Sequence, residues 1–261
     1  MKATMNDATG RLFGIPGTTA VITGGGAGIG REISTMLASA GANVAVLDRD
    51  FNSAQATAAA IEHLGRKALA IECDVADHAR VVAAFDEIVA RLDRVDILVN
   101  NAAIVRRAPA LETPPETWRA VMEVNLDGAF YCACEAARRM ASGGSIINIA
   151  SIMGLSGGGV YPNPSYHASK GALVNLTRAL AVEWADRGLR VNAVAPTWVR
   201  TEFTRALLDD PAMSAKLLGL MPLRSYAETT DVAAAVLFLA SPAARMITGH
   251  TLPVDGGFLA R

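Results

Sequence analysis

Three cysteines, Cys73, Cys132 and Cys134, are all the thiol chemistry in 261 residues. So few cannot build a disulfide framework, and they point to a reducing compartment, the cytoplasm. Cys132 and Cys134 stand two apart in a helical pattern, so they face different ways and read as ordinary packing. No spacing of cysteine with the four histidines has the form of a zinc site. His63 and His78 lie in polar surroundings and read as solvated. Aromatic residues are scarce at 5%, and neither charge dominates, the formal net charge being −1. That balance gives no electrostatic reason to expect nucleic acid or a membrane surface as partner. Long apolar runs are missing as well: stretches such as Val232–Ala240 are too short to span a bilayer. The stretch Met1–Gly14 has no apolar signal core, which argues against export. No linker, repeat or low-complexity segment interrupts the chain, so residues 1–261 read as one domain.

What is present is a rhythm. Short β-branched runs alternate with longer helical patterns, as repeated βαβ units do. The spacing predicts strands at 19–23, 43–48, 68–74, 96–100, 145–151, 190–195 and 251–254. Helices are predicted near 28–40, 52–65, 77–93, 115–141, 165–187 and 228–240. Most of the strands are continuously apolar, which implies burial on both faces and hence a parallel sheet covered by helices. The predicted fold is α/β: a doubly wound, seven-stranded parallel sheet with helices on both faces. Residues 197–224, bounded by Pro196 and Pro222, break the rhythm. A long excursion at the carboxyl end of a parallel strand commonly covers a site.

Between the first predicted strand and helix lies Thr23-Gly24-Gly25-Gly26-Ala27-Gly28-Ile29-Gly30. Glycines let a backbone turn tightly against a pyrophosphate, and a helix amino terminus supplies N–H donors and a positive dipole. Asp48, twenty residues beyond Gly28 at the end of the second strand, can accept both ribose hydroxyls of an adenosine and would repel a 2′-phosphate. That favours NAD over NADP, although the neighbouring Arg49 could pair with such a phosphate. A glycine turn followed by an acid also fits S-adenosylmethionine-dependent methyltransferases. Tyr166 and Lys170 speak against them. Four apart on a helix, they share one face, where a cation would draw the phenol's pKa down toward neutrality. Ser151 lies fifteen residues upstream. A phenol, an ammonium and a hydroxyl around one oxygen suit proton transfer, for which methyl transfer has no use.

Taken together, Thr23-Gly-x-x-x-Gly-x-Gly30, Asp74-Val75, Asn100-Asn-Ala-Ala103, Asn125, Ser151, Tyr166-x-x-x-Lys170, Pro196-Thr-x-Val-x-Thr201 and Val254-Asp-Gly-Gly257 resemble the single-domain short-chain dehydrogenase/reductases. The likeness runs from about Gly17 to Gly257 and is strongest toward sugar and polyol dehydrogenases. It implies a Rossmann fold, transfer of the pro-S hydride and a homotetramer, with the segment from Ile247 to Phe258 at a subunit interface. It further implies that Tyr166 is the general acid/base, that Lys170 tunes it and holds the nicotinamide ribose, and that Ser151 orients the substrate oxygen. Asn125 would support a proton-relaying water chain. By the same resemblance Thr23, Gly24, Gly28, Ile29, Gly30, Asp48, Arg49, Asp74, Val75, Asn101, Ala102, Pro196, Val199 and Thr201 would surround the cofactor. Two positions depart from the family pattern, Ala103 and Thr197, each standing where glycine is usual.

For a small-molecule substrate the expected wall is Ser151, Met153, Tyr161, Asn163, Tyr166, Thr197 and Trp198. The loop Met153–Asn163 carries Gly157-Gly158-Gly159, which permits an open conformation. Trp198 and Phe203 could stack on a sugar face, and Arg106 and Arg107 could bind a carboxylate or a carrier phosphate. The leading expectation is oxidation of a secondary alcohol on a sugar, sugar acid or polyol. A 3-oxoacyl thioester reductase is the alternative, and a non-catalytic cofactor-binding regulator a more distant one.

Overall fold

A computed structural model describes residues 8–141, 143–158 and 160–261. Half of the stretch Met1–Gly14, and Gly159 of the glycine loop, lie outside the described residues. Seven strands form one sheet: β1 (Thr19–Thr23), β2 (Asn43–Asp48), β3 (Ala68–Glu72), β4 (Ile97–Asn100), β5 (Ser145–Ile149), β6 (Arg190–Pro196) and β7 (Thr251–Val254). Their order is β3-β2-β1-β4-β5-β6-β7, and every pairing is parallel. The direction of winding reverses between β1 and β4, where open α/β sheets hold their ligands.

Alternation along the strands builds the two faces. Val21, Ala45, Leu47, Leu98 and Ile146 point to one side, where they meet Val81, Phe85 and Ile88 of α4 (His78–Leu92). Cys132 and Ala136 of α6 (Gly128–Arg139) and Leu180 of α7 (Pro164–Glu183) complete that layer. Ala20, Ile22, Val44, Val46 and Val99 point to the other side, against α2 (Gly28–Ser39), α3 (Phe51–His63) and α10 (Thr229–Ala240). Fully enclosed side chains such as Ile33, Leu37, Phe85 and Ile88 each contribute about 1.5–3 kcal/mol by leaving water. Asp50 starts α3 by accepting from the backbone of Asn52 and Ser53 and from the Ser53 hydroxyl, which holds its carboxyl below the usual range.

The structure departs from the expected element bounds in several places. β3 stops at Glu72 and β5 at Ile149, so Asp74 and Ser151 stand on the loops beyond their strands. The helix expected over 115–141 is broken: α5 (Pro115–Met122) passes through a π-helical turn, Glu123–Asp127, into α6. The wider turn gives Asn125 a buried place in which its side chain bonds the backbone of Ile104. His78 is exposed, as expected, with its ring centre 4.8 Å from that of Tyr131. His63 is exposed, as expected.

Residues 197–224 hold the short α8 (Arg205–Leu208) and α9 (Pro211–Leu220). Leu217 and Met221 of this segment close over Met153, Trp198, Tyr226 and Phe258, a small apolar cluster separate from the sheet layers. No helix among the described residues is long and apolar enough to cross a membrane. Among the same residues no group of acids, histidines and cysteines could hold a metal.

Candidate active site

The loops at the carboxyl ends of β1, β2, β3, β4, β5 and β6 enclose a cleft of about 390 Å³. At one end lies the glycine turn. Gly24 and Gly28 have φ of +62° and +51°, and a Cβ at Gly30 would stand 2.0 Å from the Gly24 carbonyl oxygen. Only glycine fits such a turn. Asn101 clamps it from behind: Nδ2 donates to the carbonyls of Thr23 and Gly24 at 3.1 and 2.9 Å. In return Thr23 Oγ1 accepts from the backbone N–H of Asn101 and Ala102. Thr23 and Gly30 therefore act behind the wall, whereas Gly24, Gly28, Ile29, Asn101 and Ala102 form it.

Asp48 lines the same end of the cleft, with Arg49, Asp74 and Val75 beside it. Its Oδ2 accepts from Gly26 N at 2.9 Å and its Oδ1 from Asp50 N at 3.1 Å, so the carboxylate is fixed against the glycine turn. The turn, the open start of α2 and this fixed acid fit the pyrophosphate and adenosine ribose of a dinucleotide. Pro196, Val199 and Thr201 line the cleft farther along, where a nicotinamide would lie.

At the other end Ser151, Tyr166 and Lys170 come together. Ser151 caps a short 3₁₀ turn, its Oγ accepting from Met153 N at 3.1 Å, and its hydroxyl lies close enough to Tyr166 to draw the phenol's pKa down. Lys170 Nζ is buried, donates to Ile149 O at 2.7 Å, and sits 5.7 Å from the centre of the Tyr166 ring. One expectation is overturned here. Burial pushes the Tyr166 phenol up to about 12, with only partial relief from the Ser151 hydrogen bond. Burial also brings Lys170 down to about 8. The helical spacing does put both on one face, but desolvation outweighs any effect of the ammonium on the phenol.

Asn125 is 1% exposed and absent from the cleft wall. Its Oδ1 accepts from Ile104 N, and its Nδ2 donates to Ile104 O and Ser169 Oγ, so its side chain braces the loop after β4. Asn100 turns away from the site, donating to Asn148 Oδ1 and Ala129 O inside the sheet. Alternation from Leu98 directs its side chain inward, while the carboxyl end of β4 opens on the ligand edge with those of β5 and β6.

Met153, Tyr161, Asn163, Thr197 and Trp198 line the same cleft as Ser151 and Tyr166. Asn163 is buried, and its Oδ1 has no hydrogen-bond partner among the described residues. The Thr197 hydroxyl donates to Met221 Sδ. Trp198 is only 5% exposed, edge-on to Phe258 at 5.7 Å, with Nε1 donating to the Tyr161 hydroxyl. It is a structural wall and no free stacking platform; the exposed ring is Phe203. Glu202 and Thr204 also line the cleft and were missed. The one signal for Thr204 is its three-residue spacing from Thr201, whose N–H it accepts.

A glycine turn closed by an acid, with serine, tyrosine and lysine at the far end of one cleft, defines a nicotinamide-dependent oxidoreductase acting on C–OH groups. The family model described as "Enoyl-(Acyl carrier protein) reductase" matches residues 24–259. A galactitol 2-dehydrogenase (L-tagatose-forming) of Cereibacter sphaeroides is 44% identical over 95% of this chain and 97% of its own. A short-chain type dehydrogenase/reductase from Mycobacterium marinum superposes with a TM-score of 0.92 at 36% identity, covering 96% of this chain and 99% of that one. A gluconate 5-dehydrogenase from Burkholderia cenocepacia J2315, in complex with NADP and tartrate, gives a TM-score of 0.92 at 40% identity, covering 97% and 99%. The chain belongs to the short-chain dehydrogenase/reductase family.

Proposed function

We propose that this protein is an NAD-dependent dehydrogenase that interconverts a secondary alcohol and a ketone on a sugar, sugar acid or polyol. The observation that carries it is the pair of cleft ends: Asp48 fixed at one, the Ser151–Tyr166–Lys170 group at the other. The galactitol and gluconate dehydrogenases among its relatives support the substrate class.

Bound in this cleft, the nicotinamide would supply hydride acceptance, leaving the protein to position a carbon and manage one proton. Ser151 Oγ and Tyr166 Oη hold the alcohol oxygen, and Tyr166 takes or returns its proton. Lys170 orients the ribose and carries the charge beside the phenol. Asn163 Oδ1 offers a buried acceptor to a neighbouring substrate hydroxyl. Asn125 keeps the Ile104 loop in place, and its role in a water chain to Lys170 is part of the same proposal. Residues 197–224 form the cover over the substrate end. The assembly is a homotetramer in the cytoplasm, and sedimentation at micromolar concentration checks the former.

NAD is favoured over NADP because Asp48 stands where a 2′-phosphate would lie. The NADP in the Burkholderia relative makes the opposite preference the one to test. Asp48→Ala is expected to raise KM for NAD and improve use of NADP; an unchanged cofactor ratio would remove Asp48 from ribose recognition. A panel of sugars, sugar acids and polyols with NAD, read at the NADH absorbance band, tests the reaction. A second reading, 3-oxoacyl-thioester reduction, is favoured by a 3-oxoacyl-[acyl-carrier-protein] reductase of Staphylococcus aureus that is 38% identical over 92% of this chain. It predicts activity on 3-oxoacyl thioesters and none across that panel.

A further inference from the structure

The relatives divide between a neutral polyol, galactitol, and a carboxylate, gluconate, and the proposed function leaves the two open. The substrate end of the cleft carries a feature that separates them. Arg107 lines it, on the loop after β4, with its guanidinium 4.9 Å above the centre of the Tyr161 ring. The ring is held in turn: the Tyr161 hydroxyl accepts from Trp198 Nε1 at 3.2 Å, and Trp198 is wedged edge-on against the buried Phe258. A guanidinium held over an aromatic ring retains N–H donors that match a carboxylate in bidentate fashion.

The other charges near the cleft are already committed. Lys170 donates to Ile149 O, Glu202 pairs with Arg205, and Arg49 lies with Asp48 at the far end. Arg106 donates to Val105 O and does not line the cleft. Arg107 has no ion pair or hydrogen bond among the described residues. Its charge is nevertheless felt at Tyr166, where it opposes the effect of burial.

Resting on the dehydrogenase reading, we propose that Arg107, braced by Tyr161 and Trp198, is the specificity determinant for a substrate carboxylate, so that the enzyme acts on a sugar acid in preference to the matching polyol. The alcohol carbon is oxidised at Ser151 and Tyr166, while the acid group, several atoms along the chain, is gripped at Arg107.

The test uses skeleton-matched pairs: galactonate with galactitol, gluconate with glucitol, threonate with threitol. Binding to the enzyme–NADH complex is measured by calorimetry, and kcat/KM with NAD in parallel, for the wild type, Arg107→Met and Arg107→Lys. For at least one pair the wild type is expected to favour the acid by about tenfold or more, the scale of one charge-assisted bidentate contact. Arg107→Met should erase that ratio while Arg107→Lys keeps part of it; a ratio that survives Arg107→Met, or no acid preference in any pair, overturns the proposal. Acid-selective binding lost in Arg107→Met, with no turnover of any compound, upholds the carboxylate site and counts against the dehydrogenase reading alone.

Discussion

Tyr166 and Lys170 are held by opposing demands. Each is a charge carrier in the proposed chemistry, and each, Lys170 buried and Tyr166 partly so, sits where its charged form is disfavoured. For Lys170 the direction can be followed in stability. Its pKa falls from 10.5 unfolded to about 8 folded, so between those values the native state binds fewer protons than the unfolded one. Wild-type stability therefore gains with rising pH across that window. Lys170→Met should be the more stable protein at pH 7, by at most about 3 kcal/mol, and its advantage should shrink toward pH 10.5. Thermal unfolding at several pH values checks this, and a pH-independent gap would count against the burial argument. For Tyr166 the expectation is chemical: Tyr166→Phe should lose more than about nine-tenths of turnover and leave NADH binding nearly unchanged. Retained turnover in steady-state assays would remove the assigned role.

At the scale of elements, two helical glycines give opposite expectations. Replacing glycine by alanine inside a helix ordinarily stabilises by about 1 kcal/mol. Gly171 in α7 obeys, since its Cβ would meet only Gly154 O at 3.6 Å, so Gly171→Ala should be neutral or stabilising. Gly30 in α2 does not, because its Cβ would overlap the Gly24 carbonyl. Gly30→Ala should cost about 1–3 kcal/mol and weaken NADH binding, as denaturant melts and a fluorescence titration can show. The same scale marks what could be read from sequence. The strands were legible because burial on both faces leaves unbroken apolar runs, and β1, β2 and β7 have the expected bounds. The π turn at 123–127 was not, since one extra residue in a turn leaves the apolar pattern of α5 and α6 intact. The cofactor end was legible because glycine spacing and an acid at a strand end encode backbone geometry directly. The substrate end was not: the Trp198–Tyr161–Arg107 stack joins three segments far apart in sequence, and nothing local announces that Trp198 is buried.

For the whole molecule, the doubly wound sheet gathers loops from six strands onto one edge while two apolar layers carry the stability. Chemistry and scaffold are thereby separated. Substitutions at Arg107, Asn163 or Phe203 touch neither layer, and their proteins should melt within a few degrees of the wild type, whatever they do to substrate choice. Calorimetric scans of the three variants check this. A large drop would mean that the small cluster under residues 197–224 also supports the sheet.

The Asn101 clamp has a mechanical consequence. By tying Thr23 and Gly24 to the loop after β4 through four hydrogen bonds, it makes those two loops a single rigid jaw. The facing segment, beyond β6, is held by backbone hydrogen bonds from Thr197 to Val254, Arg200 to Ala227 and Leu223 to Gly256, and by the buried Leu217 and Met221. An opening that admits or releases a ligand is then expected not at the clamped loops but at α8, none of whose residues is buried.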